Sequence, residues 1–66
     1  MTCEIKVNTG DIFLFDLHTA EVAFFGKGIR IIDTPNKIYQ VISLWAVEYI
    51  KIIDEKGEVA LCVKRS

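Results

Sequence analysis

The chain has 66 residues, 52% of them hydrophobic, and a formal net charge of −1. From this length we expect one small domain, over residues 1–66. The near-zero charge excludes strong electrostatic steering towards nucleic acid or an anionic membrane. No apolar run approaches about 18 residues and no basic segment precedes an apolar core at the N-terminus, so we expect a cytoplasmic protein without a membrane segment. In that compartment we expect Cys3 and Cys62 to be reduced thiols.

Turn-forming residues divide the chain into short apolar runs. The turn signals lie at residues 8–11, 18–19, 26–28, 34–36 and 54–57. The first four recur at the spacing of a small all-β domain. Between and before these turns, the pattern of apolar residues is typical of strands, at residues 3–7, 11–17, 20–25 and 29–33. The first half of the chain therefore predicts a β framework.

The last turn predicts a hairpin. Residues 55–57 form a three-residue loop that ends in Gly57, which is typical of a type I turn followed by a G1 bulge. The flanking runs, at residues 49–54 and 58–64, supply the two arms. We therefore expect the chain to end in two antiparallel strands.

The stretch over residues 37–53 is longer than the spacing elsewhere and has two interpretations. In the first, residues 37–42 form a strand and residues 43–47 form a single 3₁₀ or helical turn. In the second, a helix runs from Pro35 to about Ala46, preceded by a threonine N-cap. We favour the first because β-branched and aromatic residues dominate the stretch.

Residues 37–50, KIYQVISLWAVEYI, combine a strand, a short turn and a second strand. This segment resembles a local pattern in SH3-like and Sm-like barrels and at the start of LytTR-type DNA-binding domains. The resemblance transfers no functional residue. With the turn spacing, we expect an all-β fold: a small SH3-like or Sm-like barrel, or a curved antiparallel sheet of five to six strands, with one short helical turn near Trp45. The helical interpretation gives an α+β fold instead, with a helix over residues 35–46.

The polar residues of each strand mark its outward face, because side chains alternate between the two faces of a strand. Cys3 has the inward parity and Cys62 the outward parity. The predicted core comprises the inward apolar residues Ile5, Val7, Phe13, Phe15, Leu17, Val22, Phe24, Ile29, Ile31, Ile38, Ile42, Ile50, Ile52, Val59, Leu61 and Val63.

The same alternation directs seven large apolar side chains outward. These interface candidates are Ile12, Leu14, Phe25, Ile32, Tyr39, Tyr49 and Ile53. A domain of this size has little surface on which to expose so many apolar groups. We therefore expect a partner to cover them, most simply in an isologous dimer or a ring of subunits. A competing interpretation is a strand buried on both sides, for instance beneath a helix of the same chain.

Nucleic acid is an alternative partner. The candidate contacts are Lys27, Arg30, Lys37 and Lys51. Together with the outward aromatic residues they would form a basic-aromatic strip, the kind of surface on which small barrels bind single strands. The competing interpretation is that isolated basic residues solvate an apolar face. The net charge of −1 lacks the basic excess that is usual for such domains.

Residues suited to catalysis or metal binding are sparse. A zinc site built on Cys3, His18 and Cys62 lacks a fourth ligand, and strand parity puts the two thiols on opposite faces. Ser43 and Thr19 are nucleophiles by type, but neither lies in a glycine-flanked nucleophile elbow. We therefore expect a protein that is not an enzyme and holds no metal or cofactor.

Trp45 has two interpretations. We favour a core side chain that closes one end of a barrel, because large aromatic residues dominate small cores. The other interpretation is an anchor for a ligand or a partner. The sequence as a whole predicts a non-enzymatic protein–protein interaction or regulatory accessory module that self-associates through an outward apolar sheet face. The alternative is a small barrel that binds single-stranded nucleic acid.

Overall fold

Each alternating run of the sequence forms a strand. The computed structural model describes residues 1–64, and this part of the chain contains seven strands and one 3₁₀ turn. The strands are β1 (Thr2–Val7), β2 (Ile12–Asp16), β3 (Glu21–Phe25), β4 (Gly28–Asp33), β5 (Ile38–Ser43), β6 (Val47–Ile53) and β7 (Val59–Lys64). The 3₁₀ turn, Leu44–Ala46, connects β5 to β6.

The strands form two antiparallel sheets that do not close into a barrel. The four-stranded sheet has the order β2-β1-β6-β7, and the three-stranded sheet has the order β3-β4-β5. The chain crosses from the first sheet to the second through the turn at residues 17–20 and returns through the 3₁₀ turn. The two short crossings hold the inner faces of the sheets against each other.

The predicted all-β class and the short helical turn near Trp45 are confirmed. The alternative helix over residues 35–46 is wrong, because β5 occupies half of that stretch. The two sheets do not close into a barrel, and seven strands replace the expected five to six. The physical reason is the crossing at residues 17–20, which places β2 and β3 in different sheets instead of pairing them.

The core lies between the two inner faces. The buried apolar residues are Cys3, Ile5, Val7, Phe15, Ala20, Ile29, Ile31, Ile42 and Val47. Around them, partly buried, pack Phe13, Leu17, Val22, Ile38, Ile50 and Ile52. These two sets contain twelve of the predicted core residues, which confirms the inward parity of β1, β2, β4, β5 and β6.

Four predicted core residues are exposed instead: Phe24, Val59, Leu61 and Val63. They lie on β3 and β7, which are edge strands and have a neighbouring strand on one side only. A β-bulge also changes the faces of β7. Val59 pairs with Ile53 whereas Leu61 pairs with Ile52, so that Val59 turns to the outer face of the sheet while Leu61 keeps the inner face.

A buried carboxylate joins two turns at one end of the three-stranded sheet. Asp33 accepts hydrogen bonds from Thr19 Oγ1 at 3.0 Å, Asn36 Nδ2 at 2.9 Å and the Asn36 backbone N–H at 3.3 Å. These bonds hold the crossing at residues 17–20 against the turn at residues 34–37. The second turn is closed by the N–H of Lys37, which donates to Thr34 O at 3.1 Å, the hydrogen bond of a closed β-turn.

Candidate interaction surface

An apolar cleft opens on the inner face of the four-stranded sheet, beyond the area that the three-stranded sheet covers. Its volume is about 210 Å³, and its lining comprises Phe24, Leu44, Val47, Ile50, Leu61, Val63 and Lys64. Val47 and Ile50 form the floor and continue into the core. We call this region, with the free edge of β7, the open cleft.

The side chains at the mouth of the open cleft are apolar, like those of the core, but are accessible to solvent. Phe24 is 65% exposed, and Leu61 and Val63 are each 56% exposed. Every described residue of β7 is exposed. Strand β7 pairs with β6 along one edge, which leaves the backbone groups of its other edge without a strand partner among the described residues. Exposed apolar side chains beside a free strand edge are the usual features of a site that accepts another strand.

A second depression adjoins the open cleft through Leu44. Its volume is about 270 Å³, and Gly26, Lys27, Leu44 and Trp45 line it. Trp45 is 65% exposed, so the interpretation that it plugs the core is wrong. Trp45 lies in the 3₁₀ turn, where its backbone N–H donates a hydrogen bond to the hydroxyl of Ser43 at 3.3 Å. Lys27 and Lys64 are the charged residues that line these two apolar depressions.

The start of β7 has the opposite charge. A shallow depression of about 580 Å³ lies there, lined by Met1, Leu17, His18, Asp54, Glu55, Lys56 and Glu58. Asp54 Oδ1 accepts hydrogen bonds from the backbone N–H groups of Lys56 and Glu58, both at 2.9 Å, so this carboxylate shapes the hairpin turn. His18 Nε2 lies 3.7 Å from Glu55 Oε1, and both side chains are mostly exposed. Three carboxylates therefore outnumber one lysine at the start of β7, whereas Lys27 and Lys64 line the depressions near its end.

The seven predicted interface residues all lie on outer faces, but on two different sheets. The four-stranded sheet carries Ile12, Leu14, Tyr49 and Ile53, and the three-stranded sheet carries Phe25, Ile32 and Tyr39. Ile12, Leu14, Phe25 and Tyr39 are exposed, whereas Ile32, Tyr49 and Ile53 are half-buried. The structure therefore does not bring these residues together into one patch.

The outer face of the four-stranded sheet is rich in charged groups. The hydroxyl of Tyr49 donates to Glu4 Oε2 at 2.6 Å, and this hydrogen bond raises the pKa of Tyr49. Lys51 Nζ lies 4.7 Å from the centre of the Tyr49 ring. Lys6 Nζ and a Glu48 carboxylate oxygen are 3.6 Å apart. These charged groups lie among the apolar side chains of this face.

The predicted nucleic-acid contacts are also divided. Lys51 lies on the four-stranded sheet, and Arg30 lies on the outer face of the three-stranded sheet, 5.9 Å from the centre of the Phe25 ring. Lys27 and Lys37 lie in the turns at the two ends of β4. The four cations therefore do not form the continuous strip that the sequence suggested.

The two thiols occupy the faces that strand parity predicts. Cys3 is buried, which raises the pKa of its thiol, and Cys62 is exposed on β7. Over residues 1–64, no three side chains of the metal-ligating types come together. The described chain also forms no helix with the length and hydrophobicity needed to cross a membrane.

Sequence reasoning missed the open cleft because its residues were assigned to the core. The alternation of β7 is the same as that of a covered strand, and nothing in its residues shows that it lies at a sheet edge. Comparisons with protein families, with curated proteins and with solved structures find no match for this chain.

Proposed function

We propose that this protein is a non-enzymatic interaction module that self-associates, and that the open cleft is its contact surface. The observation that carries the proposal is the exposure of Phe24, Leu61 and Val63 beside a free strand edge. These side chains are continuous with the core, so a partner that covers them extends an existing apolar interior.

Two physical gains favour association at this site. Removal of apolar surface from water contributes roughly 25 cal/mol for each Å². A domain of this length buries a smaller fraction of its surface than a larger domain does, so it gains more in relative terms from a partner. The free edge of β7 adds backbone hydrogen bonds when a second strand pairs with it. The open cleft offers both gains at one place and is continuous with the core.

The oligomeric state tests the proposal. We expect light scattering and sedimentation to show association at micromolar concentrations, and Leu61→Glu to shift the protein to monomers. Leu14→Glu is the matched control, because Leu14 is as exposed as Leu61 but lies on the opposite face of the same sheet. Tyr39→Glu tests the outer face of the three-stranded sheet. A wild-type protein that stays monomeric at high micromolar concentration overturns the proposal.

We further propose that the two sheets form an incomplete barrel of the SH3-like or Sm-like type. Its support is that two short crossings join the sheets, at residues 17–20 and through the 3₁₀ turn, as the corners of a small barrel do. In this view the open cleft is the side on which the barrel stays unclosed.

Binding of single-stranded nucleic acid is the second candidate function. The observation in its favour is that Lys27 and Trp45 line the same depression, where a base would stack on the indole and a phosphate would meet the ammonium. Fluorescence anisotropy with a labelled oligonucleotide at low salt tests it. We expect Trp45→Ala and Lys27→Ala to reduce any such binding, and Lys56→Ala, at the other end of the molecule, to leave it unchanged. Absence of binding at low salt removes this candidate.

A further inference from the structure

We infer that two copies of the chain pair through their β7 strands, antiparallel and about a two-fold axis at Cys62, so that their four-stranded sheets join into one sheet of eight strands. The inference rests on the proposed self-association and specifies its geometry. It names the partner as a second copy of this chain and the contact as one strand edge.

The charge distribution selects the antiparallel orientation. Strand β7 begins beside Lys56 and the three carboxylates of Asp54, Glu55 and Glu58, an excess of negative charge, and it ends at Lys64. Lys27 lies near the same end, because its carbonyl accepts a hydrogen bond at 2.9 Å from Leu44, which lines the open cleft. An antiparallel pair puts the acidic end of each copy beside the basic end of the other. A parallel pair would put like charges together, which is unfavourable.

The β-bulge selects the register. Directly opposed residues of an antiparallel pair must have side chains on the same face. The ladder with β6 is regular from Leu61 to Lys64, and the extra residue, Ala60, lies just before it. With the axis at Cys62, Leu61 faces Val63 of the partner copy, and both of these apolar residues lie in the regular part of the ladder. With the axis at Leu61, Val63 would face Val59, which the bulge has turned to the other face.

This register also accounts for the open cleft. The inner faces of the two β7 strands then present Leu61 and Val63 of both copies as one apolar surface. Phe24, on the three-stranded sheet of each copy, lines the same cleft and covers this surface from its own side. The side chains left exposed by one copy thus pack laterally against those of the added strand.

Cysteine cross-linking tests the register in the full chain. Opposed residues of an antiparallel pair have Cα atoms about 4.5–5.5 Å apart, within the range of a disulfide. We expect diamide, which takes up the two thiol hydrogens, to convert the wild type to a covalent dimer through Cys62. Cys3, which is buried, serves as an internal control, because Cys62→Ser should abolish the cross-link.

Displaced cysteines distinguish pairing from random collision. Leu61→Cys and Val63→Cys are each made in the Cys62→Ser background, and both sites are exposed, so the variants are expected to fold. In the proposed register each new cysteine lies about 8 Å from its own copy in the partner, beyond the reach of a disulfide. We therefore expect neither variant to cross-link alone and the two to cross-link when mixed. Homodimeric cross-links of equal yield in all variants overturn the inference.

Charge reversal provides an independent test. Glu58→Lys and Lys64→Glu should each weaken dimerisation about three- to tenfold, because each places like charges at both ends of the paired strands. An equimolar mixture of the two should recover the wild-type affinity. If the dimer affinity is unchanged by the charge reversals and the cross-link yield does not depend on the position of the cysteine, the strand pairing is overturned but self-association is not. A monomer at every concentration overturns both.

Discussion

At the scale of single residues, Asp33 shows how this small domain uses a buried charge. Among residues 1–64, Asp33 is the one buried residue with a charged side chain. Hydrogen bonds from the Asn36 amide, the Thr19 hydroxyl and the Asn36 backbone hold the pKa of this carboxyl below its usual range. All three donors belong to turns, so the carboxylate is a structural link between turns and not an exposed acid.

The lowered pKa of Asp33 predicts a specific acid sensitivity. A carboxyl with a folded pKa below its unfolded value of about 3.9 contributes stability above that value, and loses it as the pH falls through the folded pKa. We expect Asp33→Asn to lower stability at pH 7 and to flatten the loss of stability between pH 5 and pH 2. Urea unfolding across this range measures both effects. Glu21→Gln, an exposed carboxyl on β3, is the control, and identical pH profiles for wild type and Asp33→Asn would contradict the prediction.

Truncation of one isoleucine and of one leucine on the four-stranded sheet should change the free energy of unfolding by very different amounts. Ile5 is fully buried at the centre of β1, so Ile5→Ala should lower the free energy of unfolding by about 2–5 kcal/mol. Leu61 is 56% exposed, and Leu61→Ala should cost less than about 1 kcal/mol in the monomer. Urea denaturation at low protein concentration compares them. Equal losses would show that Leu61 is a core residue after all.

At the scale of elements, the β6–β7 hairpin depends on one backbone conformation. Gly57 has φ +82°, and its N–H donates to Asp54 O at 3.0 Å. A side chain meets no steric obstacle there but disfavours this φ, so Gly57→Ala should destabilise the protein by about 1 kcal/mol. Thermal unfolding measures the loss. Lys56→Ala, in the same turn, should change stability little, and a neutral Gly57→Ala would contradict the argument.

The strands were predictable because turn chemistry and alternation are local properties. Residues 55–57 and 34–36 mark their turns through Gly57 and Pro35, and each flanking run forms the strand that its pattern predicts. The position of a strand within a sheet is not local. Leu61 and Ile52 have the same inward parity, yet Ile52 is partly buried beside β1 and Leu61 lies at the edge.

The candidate site was therefore harder to predict than the fold. The strand pattern predicted more apolar side chains than one small domain can bury, and hence a partner. It also predicted that Leu61 and Val63 lie in the core and that the contact surface consists of outward residues. The β-bulge at Ala60 carries no signal in the sequence, and the exposed Trp45 lies in the 3₁₀ turn that links the two sheets. These features require the three-dimensional arrangement of the strands.

At the scale of the whole molecule, self-association predicts a melting temperature that depends on protein concentration. Binding of a second copy to the folded state stabilises it by mass action. Above the dissociation constant we expect the Tm to rise by about 3–6 °C for each tenfold increase in concentration. Leu61→Glu should remove this dependence, whereas Leu14→Glu should keep it. A Tm independent of concentration in the wild type would contradict a folded dimer.

The division of the chain between its sheets has a consequence for how the protein folds. Strands β3, β4 and β5 follow one another directly, so the three-stranded sheet requires only short loop closures. The four-stranded sheet requires β1 to find β6 across most of the chain, as the pairing of Ile5 with Ile50 shows. Distant pairings form more slowly than local ones. Pulse-labelled hydrogen exchange should therefore find the amides of β4 protected before those of β1, with the central meander acting as the template on which the two outer segments meet.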